Sequence, residues 1–143
     1  MARPNWADDP SIPDEAILWR GIVSRQIRPN PRTQTDGVSQ GAFETQELSV
    51  NVAAETTAAA VLAKGKRRGV EWRLWEFTAG QARSLGLIVD RDPESDDPSH
   101  AVIVRADAPG LRLRGSQAKQ LAEIGRWASV SISPGPSSTV SVG

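Results

Sequence analysis

The sequence predicts an α+β domain, a mixed sheet of about five to six short strands with three helices packed on it. Three observations carry this. Short β-branched and aromatic runs precede, interrupt and follow the helical segments. The helical segments are modest in length and bounded by capping residues and glycines. No strand is followed by Gly-x-Gly-x-x-Gly, and Gly65-Lys66-Arg67-Arg68 lacks the Ser or Thr that a phosphate loop needs after its lysine.

The first element is the apolar run Ala16–Val23, which reads as a buried strand with Arg20 near its end. From Ser24 to Gln40 no hydrophobic period survives. Pro29, Pro31, Asp36 and Gly37 make this stretch a long loop. Phe43 and Leu48-Ser49-Val50-Asn51-Val52 resume order as a short strand. Ala53 to Lys64 is alanine-rich and helix-favouring, with Gly65 placed to end it. Val70 to Phe77 has strand composition, but its alternation slips between Leu74 and Trp75, as a bulge or burial of both faces would require.

Thr78 and Gln81 form a capping box, opening a short helix that ends near Gly86. Leu87–Asp90 and His100–Arg105 are strands on either side of an acidic segment. Ser116 caps the last helix, Gln117 to about Ala128, whose stripe of Ala118, Leu121, Ala122, Gly125 and Ala128 faces the core with Ile124 and Trp127 on its flank. Val130-Ser131-Ile132 reads as an edge strand. One domain is expected over residues 1–133, with 134–143 as a C-terminal tail.

Composition excludes several chemistries. There is no Cys, which removes disulfides, thiol nucleophiles and cysteine-based zinc sites, and a single His removes any multi-histidine metal centre. Seventeen basic residues balance seventeen acidic ones, so no overall field favours nucleic acid or an anionic membrane. The opening residues lack the apolar run of a signal peptide, and no stretch approaches a membrane span. The expectation is a cytoplasmic protein without a membrane association.

Charge is placed unevenly. Residues 90–97 hold five acids and one arginine, and Lys64-Gly65-Lys66-Arg67-Arg68 is a basic knot. Both read as solvated loops. The acidic segment lacks the Asp-x-Asp-x-Asp-Gly spacing of a calcium loop, so no metal is expected there. Trp72-Arg73-Leu74-Trp75 beside the knot interleaves aromatics with positive charge, as single-strand binders do, but the core's need for tryptophan argues for burial and against nucleic acid.

Three residues are candidates for a ligand or partner site. Arg20 ends an apolar strand, where its guanidinium must reach solvent, pair with a carboxylate or bind an anion; an internal acid is the expected partner. Ser49 lies where it could line the same region. His100 begins a strand after the acidic loop, with a carboxylate neighbour expected. Strand ends in one sheet would bring Arg20 and His100 together.

Leu18-Trp19-Arg20, Phe43, Leu48-Ser49-Val50, Asp92-Pro93 and Pro98-x-His100-Ala101 together resemble a pattern of small uncharacterised bacterial proteins, over about residues 17–128. More remotely, an arginine closing the first strand with a serine on the next resembles the arginine–serine–glutamate ADP-ribosyltransferases. That resemblance implies an arginine set against NAD phosphates, a serine shaping the pocket and a glutamate on a later strand. Here the serine motif is reduced to Ser49, no Glu-x-Glu or Gln-x-Glu occurs, and Glu71 and Glu76 have the wrong spacing.

With no nucleophile–base pair, metal cluster or phosphate loop in the sequence, the first expectation is a non-enzymatic protein-interaction module (partner, adaptor or regulatory) that uses no cofactor. The second is an enzyme acting on a nucleotide or other anionic substrate through Arg20, Ser49 and His100. An exposed apolar patch would favour the first reading, and a cleft holding Arg20 and His100 the second.

Overall fold

A computed structural model describes residues 5–129 of the chain. Its strands are β1 (Ile17–Ile22), β2 (Ile27–Asn30), β3 (Thr35–Val38), β4 (Leu48–Val52), β5 (Arg73–Thr78), β6 (Leu87–Arg91), β7 (His100–Arg105) and β8 (Arg126–Trp127). Helices α1 (Ala58–Arg67), α2 (Ala79–Ser84) and α3 (Gly115–Ile124) lie between them. Six strands form one sheet in the order β6-β7-β4-β1-β5-β8, and β2 and β3 form a separate ribbon. Neighbouring strands in both sheets run antiparallel. The fold is α+β, as the sequence implies.

Alternation along the central strands divides the apolar residues between two faces. Leu18, Ile22, Val50, Ile103, Trp75 and Phe77 join Phe43, Ala82, Ala118 and Leu121 in the main core. Trp19 and Leu74, on the other face, pack with Val61 of α1 in a smaller cluster. No helix among the described residues is long and apolar enough to cross a membrane.

The β5 alternation slip is resolved by burial of both faces. Leu74, Trp75, Glu76 and Phe77 are all buried, and the register with β1 runs unbroken from Ile17↔Thr78 to Ile22↔Arg73, so there is no bulge. Strand β5 starts only at Arg73. Trp72 lies outside it, with its indole against Gly21 and Gly65. The Thr78–Gln81 capping box and the Gly86 turn, at φ 83°, form as the sequence indicates.

Four local readings change. Residues 24–40 are not one loop: a 3-10 turn at Ser24–Gln26 leads into the β2–β3 hairpin. Strand β2 is mostly exposed and carries Pro29, which a two-stranded ribbon tolerates because a proline there disturbs no central ladder. The hydrophobic period that would announce a strand is therefore missing. Helix α1 starts at Ala58, where Thr57 Oγ1 accepts from the Ala60 N–H, and Ala53–Glu55 is a separate 3-10 turn. Gly65 lies inside α1, and Gly69, at φ 81°, follows its end.

The fourth change concerns the last helix. Ser116 is not its cap. Arg114 is, with its N–H donating to Gln117 Oε1 at 2.9 Å. The helix ends at Ile124, so Trp127 belongs to β8, where its ring meets Trp75 edge-on at 4.9 Å. Leu121 is fully buried, while Trp127 is only partly so. The edge strand expected at 130–132 and the tail at 134–143 lie outside the described residues.

Candidate anion site

Strands β1 and β4 separate partway along. Their pairing covers Leu18↔Val52 and Trp19↔Asn51, whereas β1 stays paired with β5 through Ile22. Beyond Asn51 the Ser49 carbonyl has no β1 amide to meet. Arg20 fills the gap: its Nη1 donates to the Ser49 carbonyl and its Nη2 to the Ala42 carbonyl, each at 3.1 Å. The internal acid expected as its partner is absent from its contacts, and Arg20 Nε is buried without a hydrogen bond. Burial with no counter-charge brings the Arg20 pKa down to about 10. Arg20 thus holds the strands at their divergence and leaves its positive charge uncompensated.

Beside this split lies a cleft of about 250 Å³. Arg20, Ser49 and His100 line it together, and Trp19, Asn51 and Trp72 complete much of the wall. Arg25, Lys64 and Arg68 add further positive charge, and none of the lining residues is acidic. Arg25, from the 3-10 turn after β1, is exposed and pairs with no carboxylate among the described residues.

His100 enters the cleft from the start of β7, opposite Asn51. Its Nδ1 lies 2.9 Å from the Asp92 main-chain oxygen and 3.2 Å from Asp92 Oδ2. Only the donor role of Nδ1 suits two acceptors, so Asp92 holds a proton on Nδ1, and in the neutral imidazole Nε2 is the nitrogen that carries the lone pair. Nε2 makes no hydrogen bond among the described residues.

The acidic loop folds over the end of α1, and the basic knot is the last turn of that helix, with Lys64 buried and Lys66, Arg67 and Arg68 exposed. Lys64 ion-pairs with Asp97, both largely buried, and reaches Glu94 Oε1 at 2.7 Å. Arg68 lies 3.7 Å from the same Glu94 oxygen. Asn51 Nδ2 donates to the two Asp97 oxygens at 2.8 and 2.9 Å, and Ser99 Oγ donates to Oδ1 at 3.0 Å. Burial alone would lower the Lys64 pKa, but its bonds to Asp97 and Glu94 outweigh that and raise it. The solvated-loop reading holds for the exposed Lys66, Arg67, Arg68 and Asp96 but fails for Lys64 and Asp97, which neutralise each other in a buried pair, and the knot is helical rather than a loop.

Asp92, Glu94 and His100 bring possible metal-ligand atoms within 4.8 Å of one another. Lys64 and Arg68 already supply positive charge to Glu94, and His100 Nδ1 is committed to Asp92. The cluster works as a latch closing the β6–β7 connection over the end of α1. It does not have the free donor set of a cation site.

The later-strand glutamates point elsewhere. Glu76 is buried, accepting from Trp19 Nε1 at 3.2 Å and Arg126 Nε at 2.9 Å, and neither it nor Glu71 lines the cleft. Ser49 is exposed, and no hydrogen bond joins its hydroxyl to His100. Sequence reasoning missed Arg25, Lys64, Arg68 and Asn51 as cleft residues. The spacing of Ser49 and Asn51 on one strand face was the available signal for Asn51. No family model matches the chain, and neither a curated protein nor a solved structure matches it.

Proposed function

We propose that this chain is a non-enzymatic binding module whose cleft takes a small oxyanion, free or presented by a partner. The observation carrying this is Arg20, a cation without a carboxylate partner in a cleft whose wall holds Arg25, Lys64, Arg68 and His100 and no acid. Lys64 and Arg68 are largely neutralised by the acidic loop, so the net attraction comes from Arg20 and Arg25. Arg20 supplies fixed charge, and Arg25, on an exposed turn, supplies donors that can close on a ligand. A cleft of about 250 Å³ is smaller than the roughly 300–1,000 Å³ of drug-sized sites, which suits an anionic group rather than a whole dinucleotide. Leu111 and Ile124 are the only large apolar side chains exposed among the described residues, which gives little support to docking through an apolar surface.

Calorimetric titration with inorganic phosphate at low ionic strength tests this reading. One saturable site is expected, weakened about tenfold or more by Arg25→Ala, in line with the loss of a charge-assisted hydrogen bond. Arg25 is exposed, so the variant keeps the fold. Absence of binding, or binding unchanged in Arg25→Ala, would refute the proposal.

A second reading has its own observation. Arg20, Ser49 and His100 line one cleft and Asp92 orients His100, as a proton-transfer enzyme acting on an anionic substrate would require. The missing Ser49–His100 contact places this reading second. A product-forming turnover that His100→Gln abolishes would bring it first.

A further inference from the structure

In the neutral imidazole, the Nε2 lone pair of His100 adds a condition to the ligand. A bare oxyanion presents only lone pairs, and set against an acceptor nitrogen it gains nothing and is repelled. An oxyanion carrying its own O–H can donate to Nε2 while its remaining oxygens meet the cations.

Resting on the anion-binding reading, we infer that the cleft selects a protonated oxyanion, hydrogen phosphate being the smallest example, over anions of similar size and charge without an O–H. The geometry behind this is local. The Asp92 carbonyl and carboxylate both face His100 Nδ1, at 2.9 and 3.2 Å, and hold the ring proton on that side. His100 is itself largely buried, and its backbone is pinned by β7 pairing at Asn51 and by its N–H donating to the Asp97 carbonyl at 3.2 Å. Burial of the side chain and the two Asp92 acceptors at Nδ1 favour this ring orientation over the flipped one. The uncompensated cations of the wall, Arg20 and Arg25, attract any anion, so they set affinity without discriminating. His100 is the group that reads the proton.

This differs from a general anion trap in a way one pair of ligands exposes. Hydrogen phosphate and sulfate have the same shape and the same double charge at pH 8, but only the first has an O–H. Methyl phosphate, whose second proton is lost near pH 6, is a dianion without an O–H at pH 8 and serves as a phosphorus-containing control.

The experiment is calorimetric titration of the intact chain at pH 8 with inorganic phosphate, sulfate and methyl phosphate in turn. Phosphate is expected to bind about tenfold or more tighter than the other two, as sites built around an unmet hydrogen bond discriminate. Equal affinity for phosphate and sulfate, or methyl phosphate matching phosphate, overturns the selectivity while leaving anion binding intact. Failure of all three to bind overturns the anion-binding reading itself. A measurement needing no variant accompanies it: long-range 1H–15N correlation of the single imidazole must show the proton on Nδ1. A proton on Nε2 in the free protein overturns the inference.

Discussion

Lys64 on α1 and Asp97 in the β6–β7 connection form an ion pair in which both side chains are more than nine-tenths buried. Asn51 and Ser99 satisfy the remaining oxygen valences of Asp97, and Glu94 takes a second ammonium proton. Such a pair is costly to break from one side, because the survivor is left charged and desolvated. Lys64→Met is expected to cost about 3–5 kcal/mol in urea unfolding. The double variant Lys64→Met with Asp97→Leu is expected to recover much of that loss. A single variant of wild-type stability would show that the pair is solvated.

The same pair sets an acid dependence. Burial alone would raise the Asp97 pKa, but hydrogen bonds from Lys64, Asn51 and Ser99 and the Lys64 charge outweigh it and lower the value below that of a free aspartate. The unfolded chain therefore takes up the proton first. The stability that Asp97 contributes is full above the ordinary aspartate range and is lost as pH falls through the lower, folded value. The wild-type advantage over Asp97→Asn in unfolding free energy is expected to hold at neutral pH and shrink below about pH 4. A constant difference down to the acid transition would contradict the assignment.

Gly65 reverses a general rule. Replacing a mid-helix glycine by alanine ordinarily stabilises by about 1 kcal/mol. Here the new Cβ would stand 2.8 Å from Trp72 Cε3 and 2.9 Å from Cδ2, closer than carbon atoms pack. Gly65→Ala is expected to lower the melting temperature, as overpacking by about 1–3 kcal/mol exceeds the propensity gain. In a Trp72→Ala background the same substitution is expected to stabilise. An increase in the wild-type background would mean that the indole does not rest on α1.

Leu121, fully buried in α3, also positions a tryptophan, its carbonyl accepting from Trp75 Nε1 at 3.0 Å. Leu121→Ala is expected to cost about 2–5 kcal/mol. Ile124, one helical turn on and exposed, is expected to change stability by less than about 0.5 kcal/mol when replaced by Ala. Equal losses at the two positions would place the wrong face of α3 against the sheet.

What could be read from the sequence follows the range of the forces involved. Strand β7 and the Thr78–Gln81 cap are local patterns, apolar continuity and two side chains three residues apart, and both form as expected. The β2–β3 hairpin has an exposed first strand with a proline in it, so it carries no period to detect. Trp127 lies on the flank of the expected α3 stripe, yet the helix stops before Gly125: a side chain there would collide with Trp75 and with the Glu76 carbonyl, and its absence lets β8 approach β5. That constraint is tertiary and leaves only a glycine as its trace.

The candidate site was partly legible in the same sense. Arg20, Ser49 and His100 stand out individually because a cation, a hydroxyl and an imidazole on apolar strands call for an explanation. The pairing of Lys64 with Asp97, 33 positions apart, does not, since two charged segments separated by two strands and a helix look the same whether solvated or joined. Strand order alone decides it, and charge patterning does not encode strand order.

The most direct test of the cleft uses the one histidine in the chain as its own probe. Inorganic phosphate is titrated into the protein at constant ionic strength while the His100 imidazole resonances are followed by NMR. The account predicts a saturable shift of those resonances that weakens about tenfold or more in Arg25→Ala. Imidazole signals that stay fixed while phosphate rises into the millimolar range would contradict it.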